Sequence, residues 1–435
     1  MQLWRLNPRA RLRRTPRGGA VFLPDAITTI ELDVEAFTTV VLLSKPHNVR
    51  QLRSYLTVEL RRNFTVAEID ILLRELSARG VVSITTLEEA SAQPRAAMPC
   101  RLAPESAHLQ LNGVCNLSCP SCYAALQSQD SGTLPLDRIG ALIDEWAKMG
   151  VFQLALGGGE PLLSPKLVPV VRLARQRGIV PNVTTNGLLI TEKLLGEIQG
   201  SLGELRMSLN DAATDQLPQL EAKAVLLRAS QQPFGFNLIV TRRNLERLPA
   251  LFSWVCAQGA GTLNLIRPKP VPGNRQWYQE NSLSMADATR LRAILHDQQP
   301  LFNRTRLTVD CAFSFLFHGE SADELQARGV AGCALGERFA CVKWNGDVFP
   351  CSHLYGEQFK AGNVMSASFG EIWDYSKAFT TIRADLPSVT GKCGSCRHNA
   401  LCKGCRAVMW QKSGDWLVAD QDCPVSSLPN TSVVG

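Results

Sequence analysis

Through the middle of the chain, short apolar runs alternate with stretches in which apolar residues recur at helical spacing. The candidate strands are HLQLNG (108–113), FQLALGG (152–158), PNVTTNG (181–187), LRMSLN (205–210), FGFNLIV (234–240) and TLNLIRP (262–268). Segments such as LDRIGALIDEWAKMG (136–150) and LVPVVRLARQRG (167–178) lie between them and show helical periodicity. Strands joined by crossover helices predict an α/β fold: a parallel sheet or partial barrel, with its site at the C-terminal ends of the strands.

The two flanks have a different texture. The first hundred residues open with β-branched runs, AVFL (20–23) and ITTIELDV (27–34), and end in VAEIDILLRELSARGVVSI (66–84). There Val66, Ile69, Ile71, Leu72, Leu73 and Leu76 form a helical apolar face, and Gly80 marks the stop. This pattern predicts a small winged-helix-like α+β module over 1–90, followed by a Pro-containing linker over 91–104. The alternating region is expected over 105–305. Beyond it, over 306–435, Cys, Gly and short turns dominate.

Composition adds one strong constraint. The net charge of +7 is mild, although six arginines and no acid fall within the first eighteen residues. That cluster reads as a solvated, partly frayed terminus in preference to an RNA or lipid contact. No apolar run suits a signal peptide or a membrane span, so a cytoplasmic protein without a membrane partner is expected. Fourteen cysteines in a reducing compartment point away from disulfides, and eleven of them fall in groups, as metal or iron–sulfur ligands do.

Cys115, Cys119 and Cys122 form C-x3-C-x2-C directly after the first strand of the alternating region. Three thiolates on one loop hold three irons of a [4Fe–4S] cube and leave the fourth iron open to another ligand. A zinc site would need a fourth ligand, and no neighbouring Cys or His supplies one; His108 reads as a core or surface histidine. The second strand ends in Gly157-Gly158-Gly159-Glu160-Pro161, where glycines permit close backbone approach and a carboxylate can accept from an ammonium group. Asn186 of TNG and Ser208 of RMSLN sit at the next two strand ends.

In this order the motifs resemble the radical S-adenosylmethionine (SAM) superfamily, whose fold is a partial (β/α)6 barrel. The resemblance implies that the open iron chelates the methionine end of SAM. Reductive cleavage then yields a 5′-deoxyadenosyl radical, which abstracts hydrogen from the substrate. It further implies SAM contacts from Gly158, Gly159, Glu160, Asn186 and Ser208. The aromatic residue that usually precedes the third cysteine is replaced by Ser121, with Tyr123 one place later as the compensating candidate. Asn210 stands where the family often has Asp, and no residue matches the arginine that often meets the SAM carboxylate.

Towards the C-terminus, Cys333, Cys341 and Cys351 precede Cys393-x2-Cys396-x5-Cys402-x2-Cys405, and Cys423 comes last. This arrangement resembles the SPASM domain of peptide- and protein-modifying radical SAM enzymes, with Gly346 and Cys351 as its G-x4-C element. The resemblance implies one auxiliary [4Fe–4S] cluster on Cys333, Cys341, Cys351 and Cys405, and a second on Cys393, Cys396, Cys402 and Cys423. With the SAM cluster, that makes three. A zinc knuckle would account for 393–405 alone, and the upstream trio and Cys423 favour clusters. Cys256 reads as a buried small hydrophobe, Cys100 falls in the linker, and Cys311 follows the strand LTVD as a candidate for lining the active site.

Residues 1–90 resemble, in pattern and position, the small peptide-binding domain typified by the chaperone of pyrroloquinoline quinone assembly. Such a domain holds a leader peptide as an added strand. A DNA-binding winged helix is the competing reading and the weaker one, so a nucleic-acid partner is not expected. Together the resemblances imply a maturase of a ribosomally made precursor peptide, served by an electron donor such as flavodoxin or ferredoxin, that closes a C–C, C–S or C–O cross-link. A sulfatase-maturing enzyme is the same-superfamily alternative, and Ser352, where those relatives commonly carry Asp, counts against it. An iron–sulfur redox-sensing DNA regulator is the alternative from another class.

Overall fold

A computed structural model describes residues 3–15, 18–23, 26, 28–86, 103–124, 132–209, 217–317, 332–399 and 402–425. The linker expected at 91–104 thus lies almost wholly outside the described residues, as do Cys100 and Asn210. Contacts divide the chain into two units. One comprises Met1–Glu105, Asp144–Phe152 and Gln176–Val180, and the other holds the remainder.

The first unit contains β1 (Leu3–Leu6), β2 (Arg11–Thr15), β3 (Gly18–Leu23), β4 (Thr28–Leu32), α1 (Val34–Leu42), α2 (Val49–Leu60), α3 (Val66–Ala78) and β5 (Val82–Thr85). β3 pairs antiparallel with β2 on one side and β4 on the other, while β1 pairs with β5. Local chemistry sets the helix starts. Asp33 accepts from the N–H of Ala36, and Asn48 with Gln51 and Thr65 with Glu68 close reciprocal capping boxes. α3 ends just before Gly80, whose φ of 71° suits glycine.

Two expectations for this unit are corrected. The Arg-rich start is not frayed, because residues 3–6 and 11–15 are strands and the Arg13 side chain is buried in an ion pair of 2.6 Å with Glu105. Of the six apolar positions on α3, Ile69, Leu73 and Leu76 enter the core, whereas Val66 and Ile71 are exposed. A six-residue apolar face is wider than the stripe that one core covers.

The barrel elements are β6 (Ser106–Asn112), α4 (Leu136–Met149), β7 (Gln153–Gly158), α5 (Leu167–Gln176), β8 (Val180–Thr185), α6 (Glu192–Ile198), β9 (Leu205–Leu209), α7 (Leu217–Ala229), β10 (Phe234–Ile239), α8 (Leu248–Ala257), β11 (Thr262–Ile266), α9 (Arg275–Asn281), α10 (Met285–Asp297) and β12 (Arg306–Val309). All six candidate strands are present. The sheet then continues beyond β6 through β13 (Phe339–Val342), β14 (Asp347–Phe349) and β15 (Gly362–Asn363), in the order β12-β11-β10-β9-β8-β7-β6-β13-β14-β15. β13 runs parallel to β6 and antiparallel to β14. The cysteine-rich segment therefore completes the barrel sheet as well as following it. It ends in α11 (Phe369–Tyr375), α12 (Lys377–Asp385), α13 (Gly391–Gly394) and α14 (Arg406–Ser413).

Strand alternation gives the sheet one apolar and one polar face. On β6, Ala107, Leu109 and Leu111 are buried on one side, and His108, Gln110 and Asn112 point the other way. The polar side continues across the sheet. Asn237 donates to Thr184 (3.5 Å), Asn264 donates to Asn237 (3.3 Å), and Thr308 donates to Asn264 (3.0 Å). Closed (β/α)8 barrels fill this face with branched apolar side chains. Here it carries amides and hydroxyls, a surface suited to a polar substrate. No helix among the described residues is long and apolar enough to cross a membrane.

Candidate active site

The three-cysteine loop is stitched to the glycine turn. At the end of β6, Asn112 accepts from the N–H of Val114 (3.2 Å) and donates to the carbonyl of Glu160 (3.0 Å). In return, the N–H of Gly159 donates to Asn112 (2.9 Å) and that of Glu160 to Val114 (2.8 Å). This close approach explains the glycines. A Cβ on Gly159 would stand 1.9 Å from the Val114 carbonyl oxygen, and Gly158 has a φ of 112°. Cys115, Cys119 and Cys122 are partly accessible, and the Cys119 thiol is pushed up by burial and then by negative charge on Cys122 and Cys115.

Glu160 is 1% exposed and spans two strand ends. Its carboxylate accepts from the Thr185 hydroxyl (2.7 Å), the Asn186 N–H (2.8 Å) and the Leu162 N–H (3.0 Å). Burial nevertheless holds its pKa above the ordinary carboxylate value. A carboxylate has about four lone-pair positions, so one is left for an ammonium donor. The Asn186 side chain is already engaged, because its amide donates to Asn116 within the cysteine loop (2.8 Å). Ser208 is half-buried on β9, in register with Asn237 of β10.

Tyr123 is tucked in. Its ring lies 5.0 Å from that of His353 and 6.3 Å from that of His108, and burial raises its phenol pKa. The environment of His108 was not legible beforehand. Its Nδ1 is 2.8 Å from the Ser352 hydroxyl and 3.6 Å from the Cys341 sulfur, and burial lowers its pKa to about 4, so the ring is neutral. Cys341, opposite His108 in the β13–β6 register, is pushed up to about 12 by burial.

Burial raises Cys351, followed by negative charge on Cys405 and Cys333, and Cys311 is raised by burial and then by charge on Cys333, Asp310 and Cys405. Cys311, Cys333, Cys351 and Cys405 thus lie near one another, and Cys341, which packs in the same cluster as Cys333, Cys351 and Cys405, also meets His108. Cys311 is exposed. Lys269, paired with Asp310, adds positive charge beside Cys311, Cys351 and Cys405. Cys256 is half-buried, not fully buried as expected.

Cys393, Cys396, Cys402 and Cys423 line one cavity of about 200 Å³. Among the described residues no three His, Cys, Asp or Glu side chains converge closely enough to hold a single metal ion. Asp420 ties the two groups together. Its carboxylate receives Arg267 at 2.7 and 3.0 Å and the Cys405 N–H at 3.0 Å, while its own N–H donates to the Cys393 sulfur at 3.3 Å. Arg267 holds Asp420 down at about 2 despite burial. Gly404, with φ of 66°, is required because a Cβ there would lie 2.8 Å from the Cβ of Asp420 and 3.3 Å from the Cys393 sulfur.

Comparison with known proteins agrees with this geometry. Residues 109–219 match the sequence profile of the radical SAM superfamily, and residues 333–406 match that of the SPASM iron–sulfur cluster-binding domain. The chain is 28% identical over 344 residues to the AdoMet-dependent heme synthase of Methanosarcina barkeri, covering 74% of this chain and 96% of that one. It is 28% identical over 315 residues to the mycofactocin maturase MftC of Mycobacterium tuberculosis, covering 69% and 78%. In fold it is similar to SuiB of Streptococcus suis, solved bound to the precursor peptide SuiA, with a TM-score of 0.72 at 16% identity over 97% of this chain and 99% of that one.

Proposed function

We propose that this radical SAM iron–sulfur enzyme modifies a ribosomally made precursor peptide held by its N-terminal unit. The cofactors that accompany its two matched domains are SAM and [4Fe–4S] clusters. The observation that carries the peptide reading is an open edge: β3 is paired on both sides, whereas β4 pairs with β3 alone among the described strands. An edge strand offers main-chain donors and acceptors to an extended segment whatever its side chains, as leader recognition by strand addition requires. The polar row along β8–β12 adds amide and hydroxyl partners for the core of the peptide.

In this reading Cys115, Cys119 and Cys122 hold the SAM-binding cluster. Gly158 and Gly159 let the backbone approach SAM, and Glu160 accepts from its amino group. Asn186 acts by fixing the cysteine loop through Asn116. Ser208 faces the bound nucleoside or substrate, and Tyr123 closes the site by packing against His108 and His353. Two auxiliary clusters lie on Cys311, Cys333, Cys351 and Cys405, and on Cys393, Cys396, Cys402 and Cys423. The bound clusters and SAM supply the deoxyadenosyl radical and an acceptor for the electron released as a cross-link forms. The working compartment is the reducing cytoplasm. Ser352 presents a hydroxyl to a neutral histidine and no carboxylate, which favours cross-linking over formylglycine formation.

The test uses a precursor peptide sought among the neighbouring short reading frames. A separate leader fragment should compete with the full precursor, and a leaderless core should be modified at least about tenfold more slowly at equal concentration, because the tether is lost. SAM cleavage without substrate should be unchanged by the fragment. Equal rates for core and full precursor would end the leader-binding reading.

A further inference from the structure

β12 ends one side of the barrel sheet and pairs with β11 alone among the described strands. Of the strands from β6 to β12, it alone has no buried residue. Along a parallel ladder, successive residues turn their N–H and C=O to opposite neighbours. The Arg306 N–H donates to the Gly261 carbonyl (2.9 Å) and the Asp310 N–H to that of Leu265 (2.9 Å), so Arg306, Thr308 and Asp310 face β11. Leu307 and Val309 therefore present their main-chain groups to the open side, where no described residue bonds them.

The two faces of this edge differ. Thr308 lies in one register row with Asn264, Asn237 and Ser208, on the polar side of the sheet. Leu307 and Val309 stand beside the buried Leu263 and Leu265 on the apolar side, yet are themselves only half-buried. Unpaired main-chain groups, a polar inner row and an unfinished apolar outer layer call for one more strand of matching pattern.

We propose that the core of the precursor docks as that strand. The residue opposite Thr308 turns to the polar side of the barrel, and its two neighbours, which are apolar, cover Leu307 and Val309. The inference rests on the peptide-modifying reading above. A four-residue edge is too small to hold a free protein or a second copy of this chain, for which about 800 Å² per partner is usual. A core delivered by a held leader needs no such area, because the tether supplies its local concentration.

Hydrogen–deuterium exchange of the cluster-loaded full chain, read residue by residue and without reductant, is the test. In the free enzyme the amides of Leu307 and Val309 should exchange at least about tenfold faster than those of Thr308 and Asp310, which are paired. The probe is a synthetic precursor from the neighbouring reading frames, at saturating concentration. It should slow Leu307 and Val309 at least about tenfold, and its isolated leader should leave them fast. On the substrate side, N-methylation along the core should raise KM at least about tenfold at every second position and less than about twofold between, as strand pairing requires. Leu307 and Val309 already slow in the free enzyme would overturn the proposal. Slowing that grows with enzyme concentration gives the edge to a second copy and overturns it too. A precursor that is modified while both amides stay fast, or an N-methyl scan without a period of two, overturns it and leaves the peptide-modifying reading standing. A precursor that is neither bound nor modified ends that reading instead.

Discussion

The barrel loop and the C-terminal domain gather thiols in opposite ways. Cys115, Cys119 and Cys122 lie on one short loop whose shape is fixed by Asn112, Val114 and the glycine turn beside it. The first proposed C-terminal group would draw Cys311, Cys333, Cys351 and Cys405 from distant points and depend on tertiary packing, including the Arg267–Asp420 pair, to hold them. Spacing in the sequence reports a site of the first kind faithfully and one of the second kind only in part.

The largest expected effect lies on the local side. Replacing Cys115, Cys119 and Cys122 together with Ala should abolish 5′-deoxyadenosine formation, while about eight of about twelve irons per chain remain. Loss of all iron would mean that the two regions load as one unit, and the contrast would fail.

Next comes the proposed ligand Cys311. Cys311→Ala should remove or degrade one auxiliary cluster, lowering iron by up to about four per chain, whereas Cys341→Ala should leave iron near the unaltered value. Iron analysis with Mössbauer spectroscopy decides between them. The reverse result would return Cys341 to the ligand set.

Removing one partner of a buried ion pair strands the other. Arg267→Met leaves Asp420 without its guanidinium, and the expected cost is about 3–5 kcal/mol, read as a lower midpoint of anaerobic thermal unfolding. SAM cleavage at low temperature should persist, since the barrel loop does not depend on this pair.

The smallest effect sharpens the local side. Gly159→Ala forces the Val114 carbonyl away, and SAM affinity measured calorimetrically should fall at least about tenfold while iron content is kept. Unaltered affinity would mean that the turn and the loop are not coupled.

Much of this was legible in the chain because it is local. The six strands follow from alternation, and the barrel loop and the glycine turn follow from spacing within short segments, while the four thiols of the second cavity were implied by the resemblance to the SPASM domain. The nearness of Cys311 to Cys333 and Cys405 was not, because nothing near residue 311 indicates it. Nor was the pairing of β13 with β6, which carries Cys341 to His108. The burial of Arg13 was hidden for the same reason: its partner Glu105 is remote in sequence.

The account turns on a hydrogen atom moving from peptide to deoxyadenosyl radical. The most direct measurement is mass spectrometry of the 5′-deoxyadenosine formed with a precursor whose core residues carry deuterium at carbon. One deuterium in the nucleoside, together with a modified peptide lacking it, is the predicted result. SAM cleavage that proceeds with every core residue labelled and still yields only unlabelled 5′-deoxyadenosine would contradict it.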